Sequence, residues 1–484
     1  DILIPAYEIY SRCCAGRWKL NKMKLPTLII HFLPSLGFIL ALVLLAHILK
    51  QGKSPASTLA WLMAIIFVPY IGVPLYLIFG GRKMTHMTAS KQMLPVFSAE
   101  QSLHSDKYQP LTSEIFRGGF PLTQGNSVEI LTSGEQAYRK TLALIQSATH
   151  TIHTATFILG KDVVGKKIIE NLAHKASQGV SVFLLLDALG CAKIHRSFLS
   201  PLLNAGGRVA FFMPMLHLPF RGRANLRNHR KILLVDGTTA IVGGMNLAHH
   251  YMGPDKNADY WQDLSLHIDG PAAAQVYEIF RSDWKFAARE DLDSFSLPGG
   301  NKERTSGTVM QFMASGPDVE EDALRDALIG ALFRAKHRVW IVTPYFVPDD
   351  LLLEALCMAA RRGIDLRLIV PKRSNHRLAD LAREGYLSRL QKYGVNILLY
   401  RPRMLHAKAL LIDDVVAVTG SANMDMRSLM LNYEVALCMY SPDIIDRLDA
   451  WMRMLMAKCV VREPRRSSSL AIIEGVGRLF APLL

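Results

Sequence analysis

Asn228-His229-Arg230-Lys231-Ile232-Leu233-Leu234-Val235-Asp236 and Leu405-His406-Ala407-Lys408-Ala409-Leu410-Leu411-Ile412-Asp413 follow one pattern: His-x-Lys, four apolar residues, Asp. The frame continues downstream. Gly243 follows Asp236 by seven positions and Asn246 follows that glycine by three; Gly420 and Asn423 repeat both spacings after Asp413. One such match arises readily by chance. Two in the same frame, 177 residues apart, point to a duplicated half-site.

Working outward, each motif sits at the same place in a parallel succession of elements. Glu135–Ala148 and Glu321–Ala335 have the apolar spacing of amphipathic helices. Predicted strands Thr151–Leu159 and Arg338–Phe346 follow them, then a helix that ends at Gly179 in one half and Gly363 in the other. Val180–Leu186 and Ile364–Val370 read as buried parallel strands, and Arg208–Phe212 and Val395–Tyr400 as further ones. Lys231–Val235 and Lys408–Ile412 are predicted strands, and alternation along them puts His and Lys of each motif on one side. Strands alternating with helices give an α/β fold of two pseudo-symmetric halves, each a mixed sheet flanked by helices, meeting at the motifs.

With 484 residues the chain exceeds one compact domain. Hydrophobic residues make up 50%, and mean hydropathy is +0.17, high for a purely soluble enzyme. Net charge is +15, which favours anionic partners, nucleic acid or an acidic lipid surface. The six cysteines show no C-x-x-C spacing and read as idle thiols of a reducing compartment.

Leu25–Leu49 and Ala56–Gly81 are apolar runs long enough to cross a hydrocarbon core of roughly 30 Å. Pro69, Gly72 and Pro74 interrupt the second, which is still read as a full span. Arg12, Arg17, Lys19, Lys22 and Lys24 precede the first run, Lys50 and Lys53 lie between the two, and Arg82, Lys83 and Lys91 follow. The positive-inside rule then puts the connection outside and the rest of the chain in the cytoplasm. The expected organisation is an anchor hairpin over 1–83, a linker over 84–124, halves over 125–300 and 301–464, and a tail over 465–484.

Two histidines, two lysines and two asparagines suit the holding and splitting of a phosphodiester. Lys231 and Lys408 can neutralise the anion, while Asn246 and Asn423 donate to its non-bridging oxygens. One of His229 and His406 can attack phosphorus; the other can protonate the departing alkoxide and then deprotonate the next nucleophile. The scheme needs no metal or other cofactor. Asp236 and Asp413 complete the motifs as candidate catalytic residues, although an acid at that remove reads better as a brace. A histidine nucleophile also wants a carboxylate on its other nitrogen. Asp263, 34 residues after His229, and Glu434, 28 after His406, occupy comparable places. His249, His250 and His267 read as ordinary histidines.

These motifs resemble those of the phospholipase D superfamily, and within it the bacterial cardiolipin synthases. Asn432-Tyr433-Glu434, Thr343-Pro344-Tyr345-Phe346-Val347-Pro348-Asp349, Leu59-Ala60-Trp61-Leu62 and the final Arg478-Leu479-Phe480-Ala481-Pro482-Leu483-Leu484 add to the likeness. The resemblance implies two phospholipase D-type halves behind a two-helix membrane hairpin. It implies phosphatidyl transfer between two phosphatidylglycerol molecules, through a phosphatidyl-histidine, at a bacterial cytoplasmic membrane rich in anionic lipid. It implies His229 as nucleophile, His406 as general acid/base, and crossed pairs of His229 with Glu434 and His406 with Asp263. Pro371-Lys372-Arg373-Ser374-Asn375-His376 departs from the family's usual loop and leaves the accepting lipid open, phosphatidylethanolamine included. Hydrolysis to phosphatidic acid is the nearest rival. A nuclease is disfavoured by the two apolar runs, and an inactive scaffold by the intact motifs. Homo-oligomer formation is left open.

Overall fold

The computed structural model describes residues 43–44, 46–48, 55–79, 91, 94, 119–213, 226–255, 259–292, 307–319 and 322–464. Most of the first apolar run, most of the linker and the tail from 465 onward lie outside the described residues.

The two halves share a single sheet of 15 strands. In the first half the strands are β1 (Thr123–Leu131), β2 (Thr151–Thr156), β3 (Ser181–Asp187), β4 (Arg208–Phe212), β5 (Ile232–Val235), β6 (Thr239–Gly243) and β7 (Ser265–Asp269). In the second they are β8 (Thr308–Ser315), β9 (Arg338–Val342), β10 (Phe346–Val347), β11 (Asp365–Pro371), β12 (Asn396–Tyr400), β13 (Ala409–Ile412), β14 (Val416–Gly420), β15 (Met424–Asp425), β16 (Glu434–Met439) and β17 (Cys459–Val461). From the centre outward the first half runs β1-β7-β6-β5-β2-β3-β4 and the second β8-β16-β14-β13-β9-β11-β12, with β17 added at its edge. The second order repeats the first strand for strand. β1 and β8 pair antiparallel at the junction, Thr123 opposite Met310 and Asn126 opposite Thr308. β10 and β15 form a separate two-stranded ribbon.

The mixed character of the sheet follows from the connections. β2-β3-β4 and β9-β11-β12 are parallel and joined through helices, whereas the motif strands β5 and β13 run antiparallel to both of their neighbours. Matching aspartates start the crossover helices. Asp162 accepts from the backbone N–H of Val164 and Gly165 at the head of Val163–Ser177, and Asp349 does the same for Leu351 and Leu352 at the head of Asp350–Arg361. The apolar faces of these helices and the buried faces of the strands form the cores of both halves.

The parallel strands fall within four residues of their expected ends, and Arg208–Phe212 matches at both. Among the antiparallel ones, β1, β6, β7, β8, β14 and β16 are strands that composition does not announce. β1 carries Thr, Gln, Gly, Asn, Ser and Glu yet sits inside the sheet, and it begins within the stretch expected to be linker. Each motif histidine and lysine lies just ahead of its strand, in extended chain leading into β5 or β13.

The second apolar run is not one continuous helix. It forms Pro55–Phe67 and Pro69–Phe79, of 13 and 11 residues, and among the described residues no helix is long and apolar enough to cross a membrane. Pro69 has no N–H to continue the ladder. Gly72 lies against the backbone of Ala64, so closely that a Cβ would not fit. Eight residues of straight helix would span about 12 Å, so the chain turns sharply here. The pair still displays apolar surface: Leu59, Met63, Ile66, Phe67, Val68, Tyr70 and Ile71 are all exposed.

Candidate active site

Backbone exchanged between the halves builds the site. The His229 N–H donates to the Tyr433 carbonyl (2.9 Å) and the Tyr433 N–H to the Arg227 carbonyl (2.9 Å). Across the pseudo-twofold, the Gln262 N–H donates to the Met404 carbonyl (2.8 Å) and the His406 N–H to the Gln262 carbonyl (2.7 Å). Each histidine is thereby stitched to the residue that precedes the other half's acid.

The side chains follow that register. His229 Nδ1 lies 3.0 Å from the Glu434 carboxylate, and His406 Nδ1 lies 2.6 Å from Asp263 Oδ2. Both acids are fully buried. An ionised carboxylate can only accept, so Nδ1 carries the proton in each ring and Nε2 keeps its lone pair. Burial pushes Glu434 up, but His229 and Lys231 outweigh it and hold it below the usual carboxylate range. His406 and Lys408 do the same for Asp263 against its burial.

The frame glycines make this approach possible. A Cβ on Gly243 would come within 2.5 Å of the Ser265 backbone, and one on Gly420 would run into the Val435 carbonyl. Next to the first, Gly244 leaves its side-chain volume to the Asp263 carboxylate. Without these glycines β6 and β14 could not lie against the strands that begin just after, or at, the acids.

Both lysines are folded back onto their own motifs. Lys231 Nζ donates to the His229 carbonyl (2.6 Å), and Lys408 Nζ donates to the His406 carbonyl and lies 2.8 Å from His406 Nδ1. Burial holds Lys231 well below its ordinary value and brings Lys408 down to about 8. Burial also depresses His229 to about 4, with Lys231 and Lys408 adding to it, and His406 to about 3, with Lys408 and Lys231 adding. Each histidine thus feels the lysine of both motifs, as in one shared centre. A centre in which cations are hard to keep charged gains most from an arriving anion.

The asparagines flank this centre. Asn246 Oδ1 accepts from the Ile158 N–H (3.0 Å), and its Nδ2 is buried with no hydrogen-bond partner among the described residues. Asn423 Nδ2 donates to Ser428 Oγ (3.1 Å), leaving its buried Oδ1 without one. Buried amide atoms in that condition are suited to a ligand's oxygens or hydroxyls.

Asp236 and Asp413 stand apart from this centre, in the position of braces. The whole of β5 or β13 separates each from its histidine and lysine. Asp236 accepts from the N–H groups of Thr149, His150 and Thr151 and from the Thr149 hydroxyl, all at 2.8 Å. Asp413 accepts from the N–H groups of Lys336, His337 and Arg338 at 2.8 to 2.9 Å. Both adopt positive φ, 48° and 49°, at the turn of a hairpin, a conformation that Asp tolerates better than most residues. Their oxygens hold the entry to β2 and β9 and are spent there.

Residues outside the motif reading complete the surroundings. Phe157 lies edge-on to His229, ring centroids 4.9 Å apart. His406 is ringed by Tyr251 (5.1 Å), Trp261 (5.5 Å) and Tyr345 (6.5 Å). Arg230, fully buried between His229 and Lys231, donates to Asp283 (2.6 Å), Asp318 (3.2 Å) and the Glu434 carbonyl (3.0 Å). Lys91 joins the same two aspartates, and Asn228 Nδ2 donates to Asp283 (2.9 Å). Lys91, counted above among charges flanking the membrane, is therefore neutralised inside the fold. Alternation puts the middle residue of His-Arg-Lys opposite the motif face, and a buried arginine there demands acids; no spacing in the sequence identifies Asp283 and Asp318. The other histidines stay ordinary: His250 stacks on Trp261 and His267 faces Glu129.

A mixed sheet duplicated about one junction, with two His-Lys-Asn sets crossed by acids, is the architecture of the phospholipase D-type fold. The family model described as "Cardiolipin synthase, PLD-like domain" matches residues 141–284 and 328–456, and "Phospholipase_D-nuclease N-terminal" matches 39–81. Cardiolipin synthase 1 of Bacillus anthracis is 34% identical over 462 residues, covering 90% of each chain. Cardiolipin synthase A of Pseudomonas putida is 31% identical over 473 residues, covering 93% of this chain and 96% of its own. A crystal structure of phosphatidylserine synthase from Haemophilus influenzae shares the fold, with a TM-score of 0.57 at 15% identity over 83% of this chain and 97% of that one. The chain belongs to the cardiolipin synthase family of the phospholipase D superfamily. It is a membrane-associated phosphatidyltransferase.

Proposed function

We propose that this protein joins two phosphatidylglycerol molecules into cardiolipin and glycerol, with His229 as nucleophile and His406 as general acid and base. The observation that carries this reading is the crossed pairing of each histidine with the buried acid of the other half. It leaves two Nε2 lone pairs in one site and makes neither half complete alone.

The donor phosphodiester lies against Lys231, Lys408, Asn246 and Asn423. Its charge favours protonation of both lysines and of His406. His229 Nε2 forms a bond to phosphorus as the bond to the glycerol oxygen breaks, and that oxygen takes the proton of His406. A hydroxyl of the second phosphatidylglycerol then gives its proton to His406. Its oxygen bonds to phosphorus, and the phosphorus–nitrogen bond breaks. Glu434 and Asp263 hold the rings in one tautomer and offset the positive charge formed on them. Asp236 and Asp413 act as braces of the strands.

Residues 1–83 are the anchor on this reading, followed by a linker to the catalytic halves 125–300 and 301–464, which face the cytoplasm of a bacterial cell at its anionic inner membrane. The exposed apolar surface of residues 55–79 supports burial in lipid. A Gly52→Cys variant labelled only from the cytoplasmic side would overturn that orientation. The reaction is tested with purified protein in phosphatidylglycerol vesicles, read by lipid mass spectrometry and a glycerol assay, with His229→Ala as control. Equal cardiolipin and glycerol, absent in the variant, is the expected result. Phosphatidic acid without cardiolipin would make the protein a hydrolase.

A further inference from the structure

The internal duplication allows the halves to be compared position by position, and one place breaks the likeness. Thr156 Oγ1 donates to the Ile158 carbonyl (3.0 Å) just as Thr343 Oγ1 donates to the Tyr345 carbonyl (2.8 Å). Tyr345 therefore stands where the first half has Ile158. One strand further out, the Ala188 N–H donates to the Phe212 carbonyl (3.0 Å) and the Lys372 N–H to the Tyr400 carbonyl (2.8 Å). The loop Lys372-Arg373-Ser374-Asn375-His376 therefore stands where the first half has Ala188-Leu189-Gly190-Cys191-Ala192. An apolar rim on one side corresponds to a polar, cationic one on the other.

The polar rim belongs to His406. The Tyr345 hydroxyl donates to Asn375 Oδ1 (2.5 Å), its ring lies 5.5 Å from that of His376, and it is the same ring that faces His406 at 6.5 Å. Lys372, Arg373, Asn375 and His376 are all exposed.

We propose that Tyr345, Asn375 and His376, with Lys372 and Arg373 at the rim, form the subsite for the accepting lipid. The first three take the hydroxyls of its polyol headgroup, and the two cations take its own, unreacting phosphate. This rests on the transfer reading above. Such a transfer brings two phosphates to the protein, and the His-Lys-Asn centre is filled by the one that reacts. The accepting hydroxyl must reach His406, since its proton goes there. Groups that recognise the acceptor must therefore stand beside His406 rather than His229. Amide, hydroxyl and imidazole side chains supply both donors and acceptors for a polyol, and cations outside the centre supply the charge for a second phosphodiester.

The test uses the full chain in mixed micelles of phosphatidylglycerol with labelled free glycerol. It reads three fates of the phosphatidyl group together. Cardiolipin reports an anionic lipid acceptor, labelled phosphatidylglycerol reports free glycerol, and phosphatidic acid reports water. Tyr345→Phe and Asn375→Ala are expected to lower the ratio of cardiolipin to phosphatidic acid by about fivefold or more, because a site built to bind hydroxyls loses a partner for them. The double variant Lys372→Glu with Arg373→Glu is expected to lower the ratio of cardiolipin to labelled phosphatidylglycerol by about tenfold, since only the lipid acceptor carries a phosphate. Wild-type ratios in all three variants would overturn the subsite. Wild-type protein that forms neither cardiolipin nor labelled phosphatidylglycerol would overturn the transfer reading itself, and the subsite with it.

Discussion

His229 and His406 share a frame, a fold position and a type of partner, yet their surroundings differ. His406 lies among Tyr251, Trp261 and Tyr345, while His229 has Phe157 on its edge. The positions matching Tyr251 and Trp261 in the second frame hold the smaller Ser428 and Asn432. Its side chain is 12% exposed against 5% for His406. The middle residue of the motif differs as well, Arg230 in one half and a buried Ala407 in the other. Duplication thus fixed the chemistry twice, and the neighbours distinguish the copies. The proposed roles match this difference, with the more open histidine as nucleophile and the more enclosed one as acid and base.

The strongest way to break that comparison is to remove each histidine in turn. His229→Ala should abolish a trapped phosphatidyl-enzyme. His406→Ala should slow turnover by about 10²–10⁴-fold, yet still trap the intermediate from a phosphodiester whose leaving group needs no proton. Acid-quenched labelling checks both, and trapping in His229→Ala alone would exchange the roles.

Next in size is the clamp around Arg230, which draws Asp283 from one half and Asp318 from the other and has no counterpart at Ala407. Arg230→Met leaves Asp283 and Asp318 facing one cation fewer in the interior. Stability should fall by about 3–5 kcal/mol, the usual cost of breaking a buried ion pair from one side. Urea unfolding measures it, and Ala407→Gly serves as the matched change in the other half.

A smaller effect is expected at the two strand braces. Asp236→Ala and Asp413→Ala each strand three backbone N–H groups and place Ala at positive φ. Each should cost about 1–3 kcal/mol of stability, with activity per folded molecule close to wild type. A loss of turnover beyond about tenfold in folded protein would return these residues to the chemistry.

Smallest is a pH effect that originates in the second half. Burial brings Lys408 down to about 8, and a bound phosphodiester raises it. Below pH 8 the ammonium is already formed and binding needs no added proton. Above it, binding must supply one, so KM should rise by up to about tenfold per pH unit until the bound value is passed. A KM flat from pH 7 to 10, with kcat measured alongside, would show that Lys408 keeps its charge unaided.

Much of this was legible in the residues. The paired frames locate His229, Lys231, Asn246, His406, Lys408 and Asn423, and the apolar parallel strands show plainly because both of their faces are buried. Asp236 and Asp413 were visible as motif members whose distance from the histidine favoured a brace, but which backbone N–H groups they hold is set by the fold, since a pattern records spacing and not the direction in which a side chain is used. The antiparallel strands near the junction were hidden. β1 is held by cross-strand pairing on both sides, which no local propensity reports. The apolar run over 56–81 was legible as apolar, but its break at Val68 depends on how Pro69 and Gly72 act together.

By itself the sequence determined what is local and periodic: alternating strands and helices, two copies of one motif, and a chemistry suited to a phosphodiester. Tertiary structure decided what depends on contacts between distant segments. It brought Glu434 to His229 across 205 positions and Asp263 to His406 across 143, and it gathered Lys91, Arg230, Asp283 and Asp318 into one buried cluster. The physical reason is that a buried charge must find its counterpart in space. Only the packing of the two halves on one sheet says where that counterpart lies.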